Sequence, residues 1–176
     1  IMTRQNSEQL ALIYGYLALH LRKDLDLARM LAAGILESMD RNEDAIVEYR
    51  NIRPKSPFHW SARLRVAGNL EVLNRDDEAI DLLRKLANED KTNPEPLISL
   101  GDLFRSNKQF TESVAAYDQA IAMISGLDKR QWMILYSRGI ALERSKQWGR
   151  AELDFKRALE LSPDQPYVLN YLGYSW

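Results

Sequence analysis

The sequence has no cysteine and only two histidines, His20 and His59, which stand 39 residues apart. The first absence excludes disulfides, thiolate metal sites and cysteine nucleophiles. The second leaves no His-Glu-x-x-His pair and no carboxylate cluster at metal-ligand spacing. Nor is there a Gly-x-x-x-x-Gly-Lys-Ser/Thr or Gly-x-Gly-x-x-Gly loop to cradle a phosphate. No serine has a partnering histidine nearby in the repeat frame described below. The reading is therefore of a non-enzyme with no metal and no cofactor. Also missing is any run of about 18 apolar residues, so no stretch is expected to insert in a membrane as a helix. The opening IMTRQNSEQLAL is too interrupted by polar residues to read as a cleavable signal peptide. An excess of one charge is lacking as well, with 24 basic against 25 acidic residues and a net charge of −1. Nucleic acid and anionic membrane surfaces thus find no electrostatic footprint. Nothing here separates the cytoplasm from a bacterial envelope or periplasm.

What is present is a repeat. Apolar residues make up 45% of the chain, enough for a continuous core, and a mean hydropathy of −0.40 leaves the exterior polar. Gly139 and Gly173 are 34 residues apart, and Gly101 precedes Gly139 by 38, the same period plus an insertion of four. Around Gly101 the chain reads Leu97-x2-Leu100-Gly101-x2-Phe104, followed by Ser113, Tyr117 and Ala120. Around Gly139 it reads Leu135, Gly139 and Leu142, then Ala151, Phe155, Ala158 and Pro163. Ala79, Leu83 and Leu86 keep the frame upstream, as do Ala45, Tyr49 and Pro57. The small residue of these two earlier units is Ala33 or Gly34, and Ala67 or Gly68.

Each unit reads as two amphipathic helices joined by a tight turn. Small residues let the two backbones approach, and large residues one helical turn away fill the adjoining space. Turn signals fall at 40–44, 74–78, 106–110 and 145–149, and prolines 57, 94, 96, 163 and 166 punctuate the junctions. No such pair covers its own apolar face, so units stack on neighbours. The frame divides the chain into a second helix of a preceding unit (1–25), two divergent units (26–59 and 60–93), a unit with the insertion (94–131), a regular unit (132–165) and the first helix of another (166–176). Its phase at both ends predicts a segment of a longer array.

The spacing resembles the tetratricopeptide repeat family, whose 34-residue signature is Trp-x2-Leu-Gly-x2-Tyr…Ala-x3-Phe…Pro. The match is specific over Leu97–Ala120 and Leu135–Pro163 and weaker over 26–93. Departures are Arg138 before Gly139, Ser113 in place of alanine, and Pro54 shortening a second helix. The last stretch, SPDQPYVLNYLGYSW, also resembles large bacterial tetratricopeptide repeat proteins, several of them envelope-associated.

The resemblance implies an all-α, right-handed superhelical solenoid whose first helices line a concave groove. Groove positions would be Met30, Leu64, Ile98, Asp102, Arg105, Met133, Tyr136, Ile140, Glu143, Tyr167, Tyr171 and Tyr174. Repeats of this family that clamp a partner's C-terminal carboxylate use Lys, Arg and Asn at such places. Here Met30, Gly34, Leu64 and Gly68 predict no such clamp in the first units. Apolar positions edged by Glu95, Asp102 and Glu143 suit an amphipathic or basic helix or an extended peptide. The alternative for each residue is plain interhelical packing, and for the four tryptophans packing is the main reading. The insertion at 125–132 either lengthens the flanking helices or bulges at a junction.

A protein-interaction scaffold is the leading functional expectation, with an envelope adaptor presenting substrates to another enzyme as its narrower form. RNA binding by a helical repeat is the alternative, which an acidic groove disfavours. End-to-end self-association is a further expectation, because Leu169, Leu172 and Trp176 lack a covering helix.

Overall fold

The structure, a computed structural model, describes residues 4–163 and 165–173. Among the described residues there are ten α-helices and no strand: α1 (Arg4–Leu21), α2 (Asp26–Ser38), α3 (Asn42–Arg50), α4 (His59–Val72), α5 (Asp76–Glu89), α6 (Glu95–Ser106), α7 (Phe110–Met123), α8 (Trp132–Arg144), α9 (Trp148–Leu161) and α10 (Pro166–Gly173). They fall into two compact units, residues 1–82 and 83–176, divided within α5. In the first, α1 packs on α2, α2 on α3 and α3 on α4. In the second, α6 packs on α7, α7 on α8, α8 on α9 and α9 on α10, and α6 also touches α8. Each of these pairs joins a helix to its sequence neighbour or, for α6 and α8, to the next but one, as in a stack of helical hairpins.

One turn recurs with each period. Asp40, Asn74, Lys108 and Lys146 have φ of 58°, 57°, 61° and 64°, so each stands in the left-handed region after an even-numbered helix. The next amide reaches back across that residue: Arg41, Arg75, Gln109 and Gln147 donate to the carbonyls of Leu36, Leu70, Phe104 and Leu142 at 2.8–2.9 Å. The left-handed residue's own amide bonds the following carbonyl, as from Lys146 to Glu143 at 2.9 Å. This is the Schellman closure, which satisfies the orphan carbonyls and reverses the chain within three residues. Two of the helices that follow these turns open on clusters of acids. Glu43 and Asp44 begin α3, and Asp76, Asp77 and Glu78 begin α5, all facing the positive end of the helix dipole.

Glycine is required where the hairpins cross. A Cβ on Gly101 would stand 2.5 Å from a ring carbon of Tyr117, and one on Gly139 would stand 2.6 Å from a ring carbon of Phe155. Both rings are fully buried, with 0% exposure. A Cβ on Gly34 or Gly68 would meet nothing within 4 Å. Ala33 and Ala67, in contrast, are 0% and 3% exposed. The two earlier units therefore bury alanine where the later ones use glycine.

The departures from the repeat pattern have physical reasons. Ser113 is fully buried and donates its hydroxyl to the Gly101 carbonyl at 2.7 Å, so a polar group takes alanine's place without an unpaired atom. Arg138 forks onto both oxygens of Asp154 at 2.7 Å and reaches Asp118 at 2.8 Å, joining α7, α8 and α9. That bidentate geometry compensates its desolvation. α3 ends at Arg50, before Pro54, and Arg53 in the following loop bonds Asp26 at the start of α2 at 3.0 Å. The insertion lengthens no helix: α7 stops at Met123, α8 starts at Trp132, and residues 124–131 bulge at the junction, with Gly126 at φ 83°.

Candidate functional site

The predicted groove residues, Tyr174 excepted, lie on the even-numbered helices, which are adjacent within each unit. In the first unit α2 meets α4 through polar side chains. Asn69 donates to Glu37 and to the Arg65 carbonyl, and Arg65 approaches Glu37 at 3.5 Å. Leu64 lines a shallow depression of about 500 Å³ there, together with Arg65, Gly68 and Val72. Met30 is half-buried. Burial, and then the charge of Glu37, push the Tyr49 phenol upward, which places Glu37 beside a buried ring of α3.

The second unit holds most of the predicted positions and brings several together. Tyr117 of α7 projects its hydroxyl between the helices and donates to Asp102 at 2.7 Å. Arg105 closes the group, 3.2 Å from Asp102 and 3.5 Å from the Tyr117 oxygen. Asp102 and Arg105 thus neutralise one another, and the Tyr117 phenol is pushed upward first by burial and then by Asp102. The acidic edge expected at Asp102 is correspondingly weaker than its sequence position implies.

On α8 the character changes to aromatic. Tyr136 lies 6.1 Å from Trp132, 6.2 Å from Phe155 and 5.8 Å from Tyr171, the last edge-on. Tyr171 stacks on Phe155 at 5.3 Å, and Trp148 meets Phe155 at 6.3 Å with its ring tilted. Separations of this kind add to simple area burial. Tyr136 and Tyr171 are only half-buried, while Tyr167 is 68% exposed and Met133 58%. Ile140 is half-buried against the same core. One oxygen of Glu143 is secluded without a hydrogen-bond donor, 3.3 Å from the Arg144 guanidinium. Tyr174 lies outside the described residues.

Ile98 and Met133 share a cleft of about 610 Å³ walled by the 124–131 loop. A second apolar surface appears on α1, where Leu10, Ile13, Tyr14, Leu17 and Leu21 are exposed at helical spacing. Leu169 of α10 is half exposed, and the side chains of Leu172 and Trp176 lie outside the described residues. His59 bonds the Ile52 carbonyl at 3.2 Å, a structural role. Among the described residues no three His, Cys, Asp or Glu side chains gather as metal ligands, and no helix is long and apolar enough to cross a membrane.

The residues missed from sequence are Glu37, Arg65 and Asn69. Glu37 falls at the repeat position of Arg105 and Glu143, so carrying the period upstream locates it.

Residues 98–166 match the tetratricopeptide repeat family. A search of curated proteins gives no match. Among solved structures, MamA residues 41–end from Desulfovibrio magneticus RS-1 aligns at 17% identity over 93% of this chain and 90% of its own, with a TM-score of 0.71. YrrB, described as a tetratricopeptide repeat protein with an unusual peptide-binding site, aligns at 14% identity over 96% and 84%, with a TM-score of 0.69. The first repeat domain of Spaghetti (RPAP3), bound to the HSP90 peptide SRMEEVD, aligns at 22% identity over 65% and 88%, with a TM-score of 0.58. At these identities the likeness is one of fold.

Proposed function

We propose that the chain, whose residues 98–166 match the tetratricopeptide repeat family, is a protein-interaction scaffold holding a partner segment on the face of α6, α8 and α10. The observation carrying this reading is the half-open aromatic cluster. Tyr136 and Tyr171 are anchored by Phe155 on one side and accessible on the other, with Tyr167 exposed beside them. Tyrosine held this way offers rigid contact area with a polar tip and loses little entropy on binding. Peptide binding by YrrB and by the first repeat domain of Spaghetti supports the reading by analogy.

The test is affinity capture with the tagged chain, with bound proteins identified by mass spectrometry. Tyr136→Asp and Tyr167→Glu are run separately, with thermal melts as a folding control. The reading expects both folded variants to lose the partners that wild type retains. Undiminished capture by both overturns it.

A further inference from the structure

The 124–131 bulge makes a cleft from what is otherwise a helix junction. Its floor is apolar: Ile98 from α6, Met123 from the end of α7, and Met133 and Ile134 from α8. Ser125, Gly126 and Asp128 form its wall. The loop is held in shape from within. Arg130 grips Asp128 at 2.7 Å and 3.2 Å, and the Asp128 amide donates to the Gln131 side chain at 2.9 Å. The pair on the wall is therefore neutralised. Glu95, at the rim and exposed, forms no ion pair among the described residues, so the unbalanced rim charge is negative. Ile98 and Met133 belong at once to this cleft and to the face of α6 and α8.

We propose that this cleft is a specificity pocket for a peptide bound on that face, taking one large aliphatic side chain whose adjacent lysine or arginine meets Glu95. The inference rests on the interaction-scaffold reading and adds the chemistry of the partner. An apolar floor with a single unbalanced acid selects an aliphatic–basic pair and disfavours an aliphatic–acidic one. The rim contact is solvent-exposed, so the charge preference is modest, about fivefold. The anchor preference is larger, about tenfold for leucine over alanine, because several methyl and methylene groups enter the cleft.

The experiment uses the whole chain with 13C-methyl-labelled methionine, titrated with N-acetyl-Leu-Lys-amide, N-acetyl-Leu-Glu-amide and N-acetyl-Ala-Lys-amide. The expected result is saturable movement of the Met123 and Met133 methyl signals while Met30 and Met39 stay fixed. Leu-Lys should bind about fivefold tighter than Leu-Glu and about tenfold tighter than Ala-Lys. Glu95→Gln, a surface change, should remove the charge preference and keep the anchor preference. The proposal is overturned if Met123 and Met133 do not move saturably, if all four methyls move alike, or if Glu95→Gln leaves the Lys-over-Glu preference intact. Tyr136 and Tyr167 do not line the cleft. Failure here with partner capture still lost in Tyr136→Asp and Tyr167→Glu removes the pocket and leaves the scaffold standing.

Discussion

The α6–α7 and α8–α9 hairpins cross in the same way, glycine against a buried ring, yet the rings differ by one hydroxyl. Tyr117 carries it, and Asp102 and Arg105 collect around it on α6. Phe155 lacks it, and Tyr136 and Tyr171 cover the ring instead. A buried hydroxyl has to be bonded, so it draws charged residues to itself. A bare ring is satisfied by other rings. One framework position thereby sets whether the neighbouring surface is polar or aromatic, while the backbone crossing stays the same.

The largest way to break the comparison acts on what the hairpins share. Gly101→Ala and Gly139→Ala force a Cβ into a buried ring and should each cost about 2–3 kcal/mol in urea unfolding. Gly34→Ala and Gly68→Ala, with nothing within 4 Å, should stabilise by about 0.5–1 kcal/mol. Equal effects at all four positions would contradict the crossing geometry. Next comes the hydroxyl itself. Tyr117→Phe should cost about 1 kcal/mol by removing the bond to Asp102. The smaller change is in the turns. Lys108→Gly and Lys146→Gly relieve a left-handed residue carrying a Cβ and should stabilise by about 0.5–1 kcal/mol, read as a raised Tm.

The smallest effect is a pH dependence. The Arg53 hydrogen bond holds the Asp26 carboxyl below the ordinary carboxylate range. A depressed folded-state value means that its contribution is present above the unfolded value, about 3.9, and is lost as pH falls toward the folded one. Asp26→Asn should accordingly be less stable than wild type at neutral pH, with the gap closing below about pH 4. A gap unchanged at pH 3 would show that Arg53 does not act through the ionised carboxylate.

The crossings were legible because they repeat. Gly101 with Tyr117 and Gly139 with Phe155 each sit 16 residues apart in the period. A helical hairpin of that length places such residues together. The choice between Ala33 and Gly34 was not legible, because two adjacent small residues satisfy the same spacing and only burial separates them. Arg138 reads as a defect in the pattern. Its partners Asp118 and Asp154 lie on two other helices, 20 and 16 residues away, and only tertiary packing unites them. The groove positions were named by phase alone. Phase places Asp102 and Arg105 on the first helix of their repeat, α6, but does not show that Tyr117, counted as core, reaches out and engages both. The insertion was visible as four extra residues, whereas its bulged shape depends on Gly126 and on the Asp128–Arg130 and Asp128–Gln131 contacts.

The central claim is that partners engage the face of the even-numbered helices in the second unit. Site-specific photo-crosslinking measures this directly, with benzoylphenylalanine placed at Tyr136 or at Leu153, which is 67% exposed on α9. The account predicts a discrete partner adduct from position 136 that is absent from position 153. The same adduct from both positions, or from 153 alone, would contradict it.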